Sequence, residues 1–361
     1  MFEKVEVDES YIRIPKDRLE EFYVNVLTAL SVQEEDARIV ADNLIIADLR
    51  GIESHGAQRF GRYVRAIKKG AVNLKPDIKI EKESRVHALL DGDDGLGQPV
   101  SYKAMMLAIE KAKENFIGMV GVRNSNHFGI AGHYSLLAVD RDMIGISMTT
   151  TRPLVVPTWG LERAIGTNPI AIGIPVKDKP PFLLDMATSV VATGKFELYK
   201  RKNKPIPEGW GIDGRGEITT DPNKVLSEGA ELPLGGLGEL LGGHKGYGLS
   251  LAIDAICGVL TNATWSKWVK NTDEKKSNVG HMFIAINIDA FTPVEDFKER
   301  MKRMIEDVKK SKAMKGKRIW YPGEKGALTA ETRLKIGIPV YHKVVEELNG
   351  FAREVGVEKL V

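Results

Sequence analysis

A chain of 361 residues, 43% of them hydrophobic, can bury a large core, and we expect two subdomains. Its 52 basic and 49 acidic residues leave a net charge of +3, which argues against a nucleic-acid or membrane partner. The N-terminus lacks an apolar signal core, no run approaches transmembrane length, and the lone Cys257 excludes an internal disulfide or cysteine-built metal site, so we expect a cytoplasmic protein.

The first 75 residues have a helical pattern. Apolar residues recur at helical spacing after Pro15 and predict a first helix; they are Leu19, Phe22, Val26 and Leu30. Ser31-Val32-Gln33-Glu34 has the form of a capping box, so we expect it to open a second helix that ends at Gly51.

Ser54-His55-Gly56 precedes a helix that we expect to begin near Ala57. Arg59 and Tyr63 are four residues apart and therefore share one helix face, with His55 at the helix entrance. Arginine holds carboxylates in a fork and histidine exchanges protons near neutral pH, so the segment fits reduction of a 2-oxo acid. From this segment alone, a capped surface helix with an incidental histidine is an equally open interpretation.

From Ile78 onward, short apolar runs alternate with glycine-rich turns and helical stretches. Helices are predicted to begin near Pro99, Ile130, Ser189 and Gly246. Strands are predicted at Val86–Leu90, Met119–Val122, Ile144–Met148, Ile170–Ile174, Phe182–Leu184 and Met282–Ile288. The pattern is α/β, but the strands are spaced too irregularly for a regular succession of βαβ units.

Two glycine-rich segments invite comparison with dinucleotide-binding turns. Gly209-Trp210-Gly211-Ile212-Asp213-Gly214 matches the letters of the Rossmann glycine motif, yet it follows a proline-rich coil and no helix comes after it. We therefore reject it. Gly95-Leu96-Gly97 lies between a strand and a helix but lacks the third glycine, and we interpret it as a tight turn.

The segment from Gly242 to Gly248 is a stronger candidate for binding an anion. Its glycines allow close backbone approach, the following helix offers free N–H groups, and Lys245 adds a mobile charge. The spacing does not match a Walker motif, so we predict phosphate binding without nucleotide hydrolysis. A glycine hinge before a buried helix is the alternative.

Polar loops follow or precede several predicted strands. The loop from Arg123 to Gly129 contains His127 and lies at the carboxyl end of a strand, where α/β proteins often bind ligands. Gly166-Thr167-Asn168-Pro169 is typical of a turn. Asp185 could accept hydrogen bonds from ribose hydroxyls, while Thr188 or Ser189 capping the next helix is the structural alternative.

The C-terminal quarter is charged. A long helix is predicted from Pro293 to about Lys312, and the basic run ending at Arg318 fits a solvated helix end. A coil around Trp320-Tyr321-Pro322-Gly323-Glu324 then leads to a final helix, Val340–Val355. Abundant lysine and glutamate with few glutamines indicate a thermophilic source.

Taken in chain order, six segments resemble the malate/L-lactate dehydrogenase family, which includes sulfolactate dehydrogenases and does not have the Rossmann fold. Each is weak by itself, but their order and separations make the match specific. They are Ser54-His55-Gly56 with Arg59, Asn124-Ser125-Asn126-His127, Gly166-Thr167-Asn168-Pro169, Asp185-Met186-Ala187, Lys245-Gly246-Tyr247-Gly248 and Pro322-Gly323-Glu324.

The resemblance implies an NAD(P)-dependent oxidoreductase of 2-hydroxy acids that forms a homodimer, needs no metal and uses either NAD or NADP. It implies an α/β fold with a non-Rossmann, mixed-sheet cofactor domain and a helical subdomain formed by the N- and C-terminal segments. We place the helical substrate and dimer subdomain at residues 1–76, completed by 310–361, and the cofactor domain at 77–309.

The resemblance also implies roles for individual residues. His55 matches the proton donor of some relatives and His127 the proton acceptor of others, so the choice between them stays open. Arg59 matches the carboxylate-binding arginine, with Ser54 and Tyr63 beside it in the substrate pocket. The positions that match cofactor contacts are Thr151, Asp185, Met186, Ala187, Lys245, Gly246, Pro322, Gly323 and Glu324.

Malate and oxaloacetate are the expected substrate pair, with L-sulfolactate, L-lactate or a ureidoglycolate or imine reductase activity as alternatives. An anionic group on C3 needs a further cation, for which Arg123, Arg152 or a partner-subunit residue are candidates. A serine hydrolase using Ser54 or Ser125 is a different class. We expect the side chains of Ser54 and His55 to diverge, and no nucleophile elbow is present.

Overall fold

The computed structural model describes residues 2–4, 7–270 and 272–361. Its strands are β1 (Tyr11–Ile14), β2 (Lys79–Glu83), β3 (His87–Asp91), β4 (Ile117–Ser125), β5 (Met143–Thr149), β6 (Ile170–Ile174), β7 (Phe182–Met186), β8 (Gly211–Ile212), β9 (Ala230–Glu231), β10 (Val279–Asn287) and β11 (Ile338–Tyr341). Its α-helices are α1 (Lys16–Ala29), α2 (Glu34–Leu49), α3 (Ala57–Lys68), α4 (Gly97–Asn115), α5 (Ala131–Val139), α6 (Thr193–Arg201), α7 (Pro222–Ser227), α8 (Gly243–Asp254), α9 (Val294–Lys309), α10 (Glu324–Ile336) and α11 (His342–Val355).

The central sheet has seven strands in the order β2-β3-β4-β10-β5-β6-β7. Strands β3 and β4 pair in parallel, whereas the other neighbours in this sheet pair antiparallel. This is a mixed sheet rather than a doubly wound parallel one, which confirms the predicted fold class. The last strand of this sheet to be synthesised, β10, lies in its middle, between β4 and β5.

Apolar layers cover both faces of this sheet. Helices α4 and α5 pack on one face through small and apolar side chains, with Ala104 and Ala108 close to Val120 and Phe283. On the other face, α8 and the π-helical turn that continues it bury Ile253. The sheet, whose strand ends carry the loops of the site, therefore lies between two packed helical layers.

The N- and C-terminal segments share a second core. Phe22 and Phe60 lie with Leu348 in one buried cluster contributed by α1, α2, α3 and α11. Strands β1 and β11 pair antiparallel, with Ile14 opposite Ile338. Both chain ends contribute to one apolar cluster, so they stabilise each other. The domain boundaries at residues 76 and 310 stay a prediction.

A small lobe follows β7 and contains α6, α7, β8 and β9. Phe196 of α6 packs with Ile206 and Val225. The Gly209–Gly214 motif lies here, and this fully described stretch passes into the two-residue β8 rather than a helix. The expectation that no helix directly follows this motif is confirmed, as is the turn at Gly95-Leu96-Gly97, which joins β3 to α4.

Two local predictions are wrong. Ser31 does not cap α2: it has a positive φ of 69° and ends α1, while Gln33 occupies the N-cap position. The helix expected from Ser189 begins at Thr193, because the Ser189 hydroxyl donates to the carbonyl of Val191 in an irregular turn. Neither Thr188 nor Ser189 caps it, since the Thr188 hydroxyl donates to backbone carbonyls at the 166–169 turn.

Several elements escaped prediction for physical reasons. Strand β2 is charged and exposed along its length, so it carries no apolar pattern. Helix α10 was not predicted, because its buried face is polar: Arg333 is fully buried and pairs with Glu3 and Glu53 instead of packing on apolar groups. Strands β1 and β11 and helix α7 are short. No helix within the described ranges is long and apolar enough to span a bilayer.

Candidate active site

A 3-10 turn, Glu53–His55, carries the first functional side chains into the start of α3. Buried Asp48 of α2 accepts a hydrogen bond from the Ala57 backbone N–H at 2.8 Å and so holds the helix start. A Cβ on Gly56 would lie 1.9 Å from the Asp48 Oδ1 atom, so only glycine allows this approach. The turn therefore has one position relative to α2.

His55 and His127 lie face to face in the site. Their ring centroids are 5.6 Å apart and their planes differ by 17°. The Ser54 hydroxyl is 2.9 Å from His55 Nδ1, and the Tyr63 hydroxyl is 2.8 Å from His127 Nδ1. Helix α3 and the loop after β4 thus bring together residues that are 72 positions apart in the sequence.

The hydrogen bonds of His127 determine its tautomer. Gly129 donates its backbone N–H to His127 Nδ1 at 3.3 Å, and a backbone N–H cannot accept. Nδ1 is therefore the acceptor, the Tyr63 hydroxyl is a second donor to it, and the ring proton of neutral His127 is on Nε2. The proton-bearing nitrogen is the one not bound by Tyr63 or Gly129.

The surroundings of both imidazoles favour their neutral form. Burial, followed by the charges of Arg59 and Arg62, lowers the pKa of His55 to about 3. Burial also lowers the pKa of His127 well below its usual value, again with help from Arg62. Burial beside Arg59 lowers the pKa of Arg62 itself to about 10. An anion bound at these arginines would oppose their effect on both histidines.

These residues line a cavity of about 530 Å³. Arg59 and Arg62 lie near the two histidines, and Arg152, which lies near Arg62, lines the same cavity. Farther along lie Thr151, whose backbone N–H donates to Asn168 Oδ1 at 2.9 Å, and the end of β7. The remaining lining includes Asp185, Met186 and Ala187, the first residues of α6, and the lysines Lys4, Lys195, Lys202 and Lys204.

One carboxylate oxygen of Asp185 is bound by the protein, so only the other oxygen is available to a ligand. Its Oδ2 atom accepts a hydrogen bond from the Gly132 backbone N–H at 3.0 Å. Burial raises its pKa, and the charges of Lys4 and Arg50 oppose that rise. Its other carboxylate oxygen could accept a hydroxyl from a ligand in the cavity.

Comparisons with known proteins agree with this geometry. Residues 14–349 match the model of the malate/L-lactate dehydrogenase family. The chain belongs to the malate/L-lactate dehydrogenase family. It is 62% identical to a malate dehydrogenase of Pyrococcus horikoshii over 361 residues, all of both chains.

Solved structures of family members share the fold. The structure of a malate dehydrogenase from Pyrococcus horikoshii superposes with a TM-score of 0.94 at 59% identity, covering 99% of this chain and 100% of the other. A sulfolactate dehydrogenase from Methanocaldococcus jannaschii gives 0.87 at 42% identity, covering 96% and 98%. As a member of this family, the chain is an oxidoreductase of 2-hydroxy acids, and the mixed sheet is the family fold.

Some residues predicted for the dehydrogenase site lie outside the cavity lining. Lys245 is exposed at the start of α8, next to buried Gly246. The Pro322 carbonyl accepts the Leu183 N–H, and the Gly323 carbonyl accepts from Arg50, so this turn packs beside β7. The Glu324 carboxylate pairs with two cations, Lys309 and Arg318. The contacts of this group are structural, and its cofactor contacts stay a prediction.

Two further expectations are corrected. Arg123 was a candidate cation for a second acid group, yet its guanidinium pairs with Glu81 and Asp91 outside the cavity. The side chains of Ser54 and His55 do not diverge, because the 3-10 turn brings them within hydrogen-bonding distance. Membership of a dehydrogenase family nevertheless overturns the hydrolase alternative.

Other functional positions were missed from the sequence. Arg62 lies one helical turn beyond Arg59, and that i,i+3 spacing could have revealed it. Glu197 of α6 pairs with Arg59 at 3.3 Å, a contact between residues far apart in the chain that carries no local signal. Glu231 is buried near Thr193 at the start of α6. Burial raises its pKa to about 8, opposed by a hydrogen bond from Thr193 and by the charges of Arg163 and Arg152.

A buried histidine connects the strands behind the site. The nitrogens of His281, in β10, lie 2.7 Å from the Thr149 hydroxyl and 2.8 Å from the Ser125 hydroxyl. Its ring stacks on Phe128, next to His127, with centroids 4.8 Å apart. Burial lowers its pKa to about 3, so it stays neutral and holds the loops after β4 and β5 together. Within the described ranges, no three His, Cys, Asp or Glu side chains are arranged to hold a metal ion.

Proposed function

We propose that this enzyme interconverts malate and oxaloacetate with a nicotinamide cofactor. The observation that carries the proposal is the cavity in which two neutral imidazoles face three arginines, Arg59, Arg62 and Arg152. A dicarboxylic 2-oxo acid needs a proton source at its C2 oxygen and cations at both ends. The 62% identity to a malate dehydrogenase supports the same choice.

In this proposal Arg59 and Arg152 hold the two acid groups. Arg59 binds the C1 carboxylate beside His55, from a guanidinium fixed by the Ser54 carbonyl, which accepts from Nε at 3.0 Å. Arg152 lines the same cavity and binds the group on C3, while Arg62 contributes positive potential between them. A sulfonate would suit Arg152 as well as a carboxylate does, which makes sulfolactate the second candidate substrate.

His55 protonates the new hydroxyl, and His127 polarises the carbonyl. His127 offers Nε2–H to the C2 oxygen, but protonating its Nδ1 would turn that nitrogen into a donor that faces the Gly129 N–H donor. His55 Nδ1 faces a hydroxyl, which can donate or accept, so His55 can become an imidazolium. The substrate dianion balances the arginines that lower the pKa of His55, and the proton is therefore taken up with the oxo acid.

The residues along the cavity fit a nicotinamide cofactor. Thr151, Asp185, Met186 and Ala187 offer a hydroxyl, a carboxylate and backbone groups, and the lysines at the mouth offer cations to phosphates. When bound, the nicotinamide supplies reversible hydride exchange with C2 of the substrate. Asp185 as a hydroxyl acceptor favours NAD, while the nearby lysines leave NADP as the alternative. Lys245, Gly246 and the Pro322-Gly323-Glu324 turn complete the proposed cofactor contacts.

We also propose a thermostable, cytoplasmic homodimer. Large apolar side chains are exposed, including Trp159, Leu161 and Leu240, and a second copy would cover them. Networks such as Glu324 with Lys309 and Arg318 are the kind that stabilise proteins at high temperature. Light scattering would test the dimer, and a melting curve would test the thermostability.

A steady-state panel tests the substrate proposal. Malate, L-sulfolactate, L-lactate and ureidoglycolate are each measured as kcat/KM with NAD and with NADP. Malate is expected to give the highest value, and lactate, which lacks the second acid group, the lowest of the first three. A higher kcat/KM for sulfolactate than for malate would replace malate as the substrate, and equal values for lactate and malate would remove Arg152 from its role.

A further inference from the structure

Helix α6 lies directly on the Arg59 side of the site. A Cβ added to Gly194 would be 2.5 Å from the Ser54 Cβ and 3.1 Å from Arg59 Nη2, so the helix backbone touches the catalytic turn. Gln58 Nε2 donates to the Gly194 carbonyl at 3.4 Å. Because Gly194 lies this close to Arg59, an acidic side chain one helical turn after Gly194 is within reach of the arginine.

Glu197 is that acidic side chain. Its Oε2 atom is 3.3 Å from Arg59 Nη2 and 3.5 Å from Gln58 Nε2. The Arg59 side chain is 13% exposed, while that of Glu197 is 31% exposed, so the glutamate is the more solvent-accessible partner of the pair. A protein carboxylate therefore occupies a position on Arg59 that a carboxylate ligand requires.

Glu197 also borders a second space on the opposite side of α6. It lines both the main cavity and an adjoining open cleft of about 830 Å³. That cleft is basic, and its lining includes Lys200, Arg201, Lys202 and Lys343. Arg201 and Lys200 follow Glu197 at i+4 and i+3, within reach of its carboxylate on the same helix. A carboxylate turned outward would therefore meet new cations.

We propose that Glu197 is a placeholder for the C1 carboxylate of the substrate. It keeps Arg59 oriented and charge-balanced in the empty site, and it turns to the basic cleft when the 2-oxo acid binds. The inference rests on the proposed role of Arg59. Glu197 is thus a positioning residue that sets KM, because each binding event must displace it.

Glu197→Gln tests this inference, because the amide keeps the shape and removes the charge. The KM for oxaloacetate and for pyruvate is expected to fall about 2- to 5-fold, the range for loss of a partly exposed ion pair, with kcat changed by less than this. Both substrates respond because both carry the C1 carboxylate. Glu197→Asp, which keeps the charge, is expected to retain a KM nearer the wild-type value, and the difference shrinks at high salt.

Glu81→Gln is the matched control. Its carboxylate also pairs with an arginine, Arg123, and is 32% exposed, but both residues lie outside the main cavity and the basic cleft. Its KM is expected to be unchanged. An unchanged or raised KM in Glu197→Gln, with an unchanged melting temperature, overturns the placeholder and makes Glu197 a scaffold for Arg59.

A binding measurement separates this inference from the proposed function. Calorimetry with oxamate, an inert analogue of a 2-oxo acid, and the cofactor-loaded protein is expected to give tighter binding to Glu197→Gln than to wild type. If the wild-type chain reduces no 2-oxo acid, the proposed function fails even where oxamate binding responds. If turnover is present and oxamate binds both proteins equally, only the placeholder fails.

Discussion

Helices α3 and α6 face each other across the site and are held in opposite ways. The α3 side is buried: Asp48 fixes the helix start, and Tyr63 with the Gly129 N–H fixes His127. Helix α6 is basic and half-exposed, and its Ala192 N-cap has no side-chain hydrogen bond within this described segment. The difference separates two tasks. In the proposed mechanism the α3 side fixes the reacting atoms, and the half-exposed face of α6 governs which anions reach them.

The largest expected effect comes from changes on the α3 side. His55→Gln and His127→Gln each remove an imidazole from the stacked pair. Reduction of oxaloacetate by His55→Gln is expected to slow about 10²- to 10⁴-fold in kcat, because general acid catalysis is lost. His127→Gln is expected to slow less, because glutamine still offers an N–H to the carbonyl. Stopped-flow measurement of NADH oxidation checks both variants. Near-wild-type rates in both would disprove the roles proposed for His55 and His127.

Arg152 tests whether charge selects the substrate. Arg152→Met is expected to lower kcat/KM for oxaloacetate about 10- to 100-fold, because a charge-assisted contact to the second acid group is lost. Pyruvate, which lacks that group, should respond by less than about 3-fold. Arg123→Met is the control, since Arg123 pairs with Glu81 and Asp91 outside the cavity. An equal loss of kcat/KM for oxaloacetate and for pyruvate would show that Arg152 does not bind the second acid group.

Glu231 gives a pH-dependent test of the region near α6. Burial raises its pKa from 4.5 to about 8 in the folded protein. Below 4.5 both folded and unfolded chains hold the proton. Between 4.5 and 8 only the folded chain holds it, so stability falls as pH rises. Glu231→Gln cannot titrate and is expected to be more stable by about 1–3 kcal/mol at pH 8, with little gain at pH 4.

Urea unfolding at pH 4, 6 and 8 measures this difference. Glu217→Gln, at an exposed position, is the control and should change stability little at each pH. A gain for Glu231→Gln that is the same at pH 4 and pH 8 would show that packing, rather than proton uptake, is responsible.

The smallest expected effect comes from pushing α6 outward. In Gly194→Ala the new methyl group would meet Ser54 at 2.5 Å, so the helix must shift. We expect KM for oxaloacetate to rise about 3- to 10-fold with a smaller change in kcat. Gly350→Ala in α11, whose nearest atom would be 3.9 Å away, is the control. A loss confined to kcat would mean that α6 positions reacting atoms after all.

The sequence was most informative where function depends on neighbouring residues. The spacing of Arg59 and Tyr63 predicted one face of α3, with His55 at the helix entrance, because helix periodicity places residues four apart together. His127 approaches His55, and Glu197 approaches Arg59, through tertiary packing, which no local pattern encodes. Helix α10 was missed for a related reason: Arg333 makes buried ion pairs where the usual apolar stripe would be expected.

The central place of β10 has a consequence for synthesis on the ribosome. His281 joins the loops after β4 and β5, yet it is made 156 residues after Ser125 and 132 after Thr149. A nascent chain that ends before residue 279 lacks the strand that separates β4 from β5. The cavity therefore cannot form on the ribosome before β10 has been synthesised. A chain truncated before residue 279 would expose the unpaired edges of β4 and β5 to aggregation.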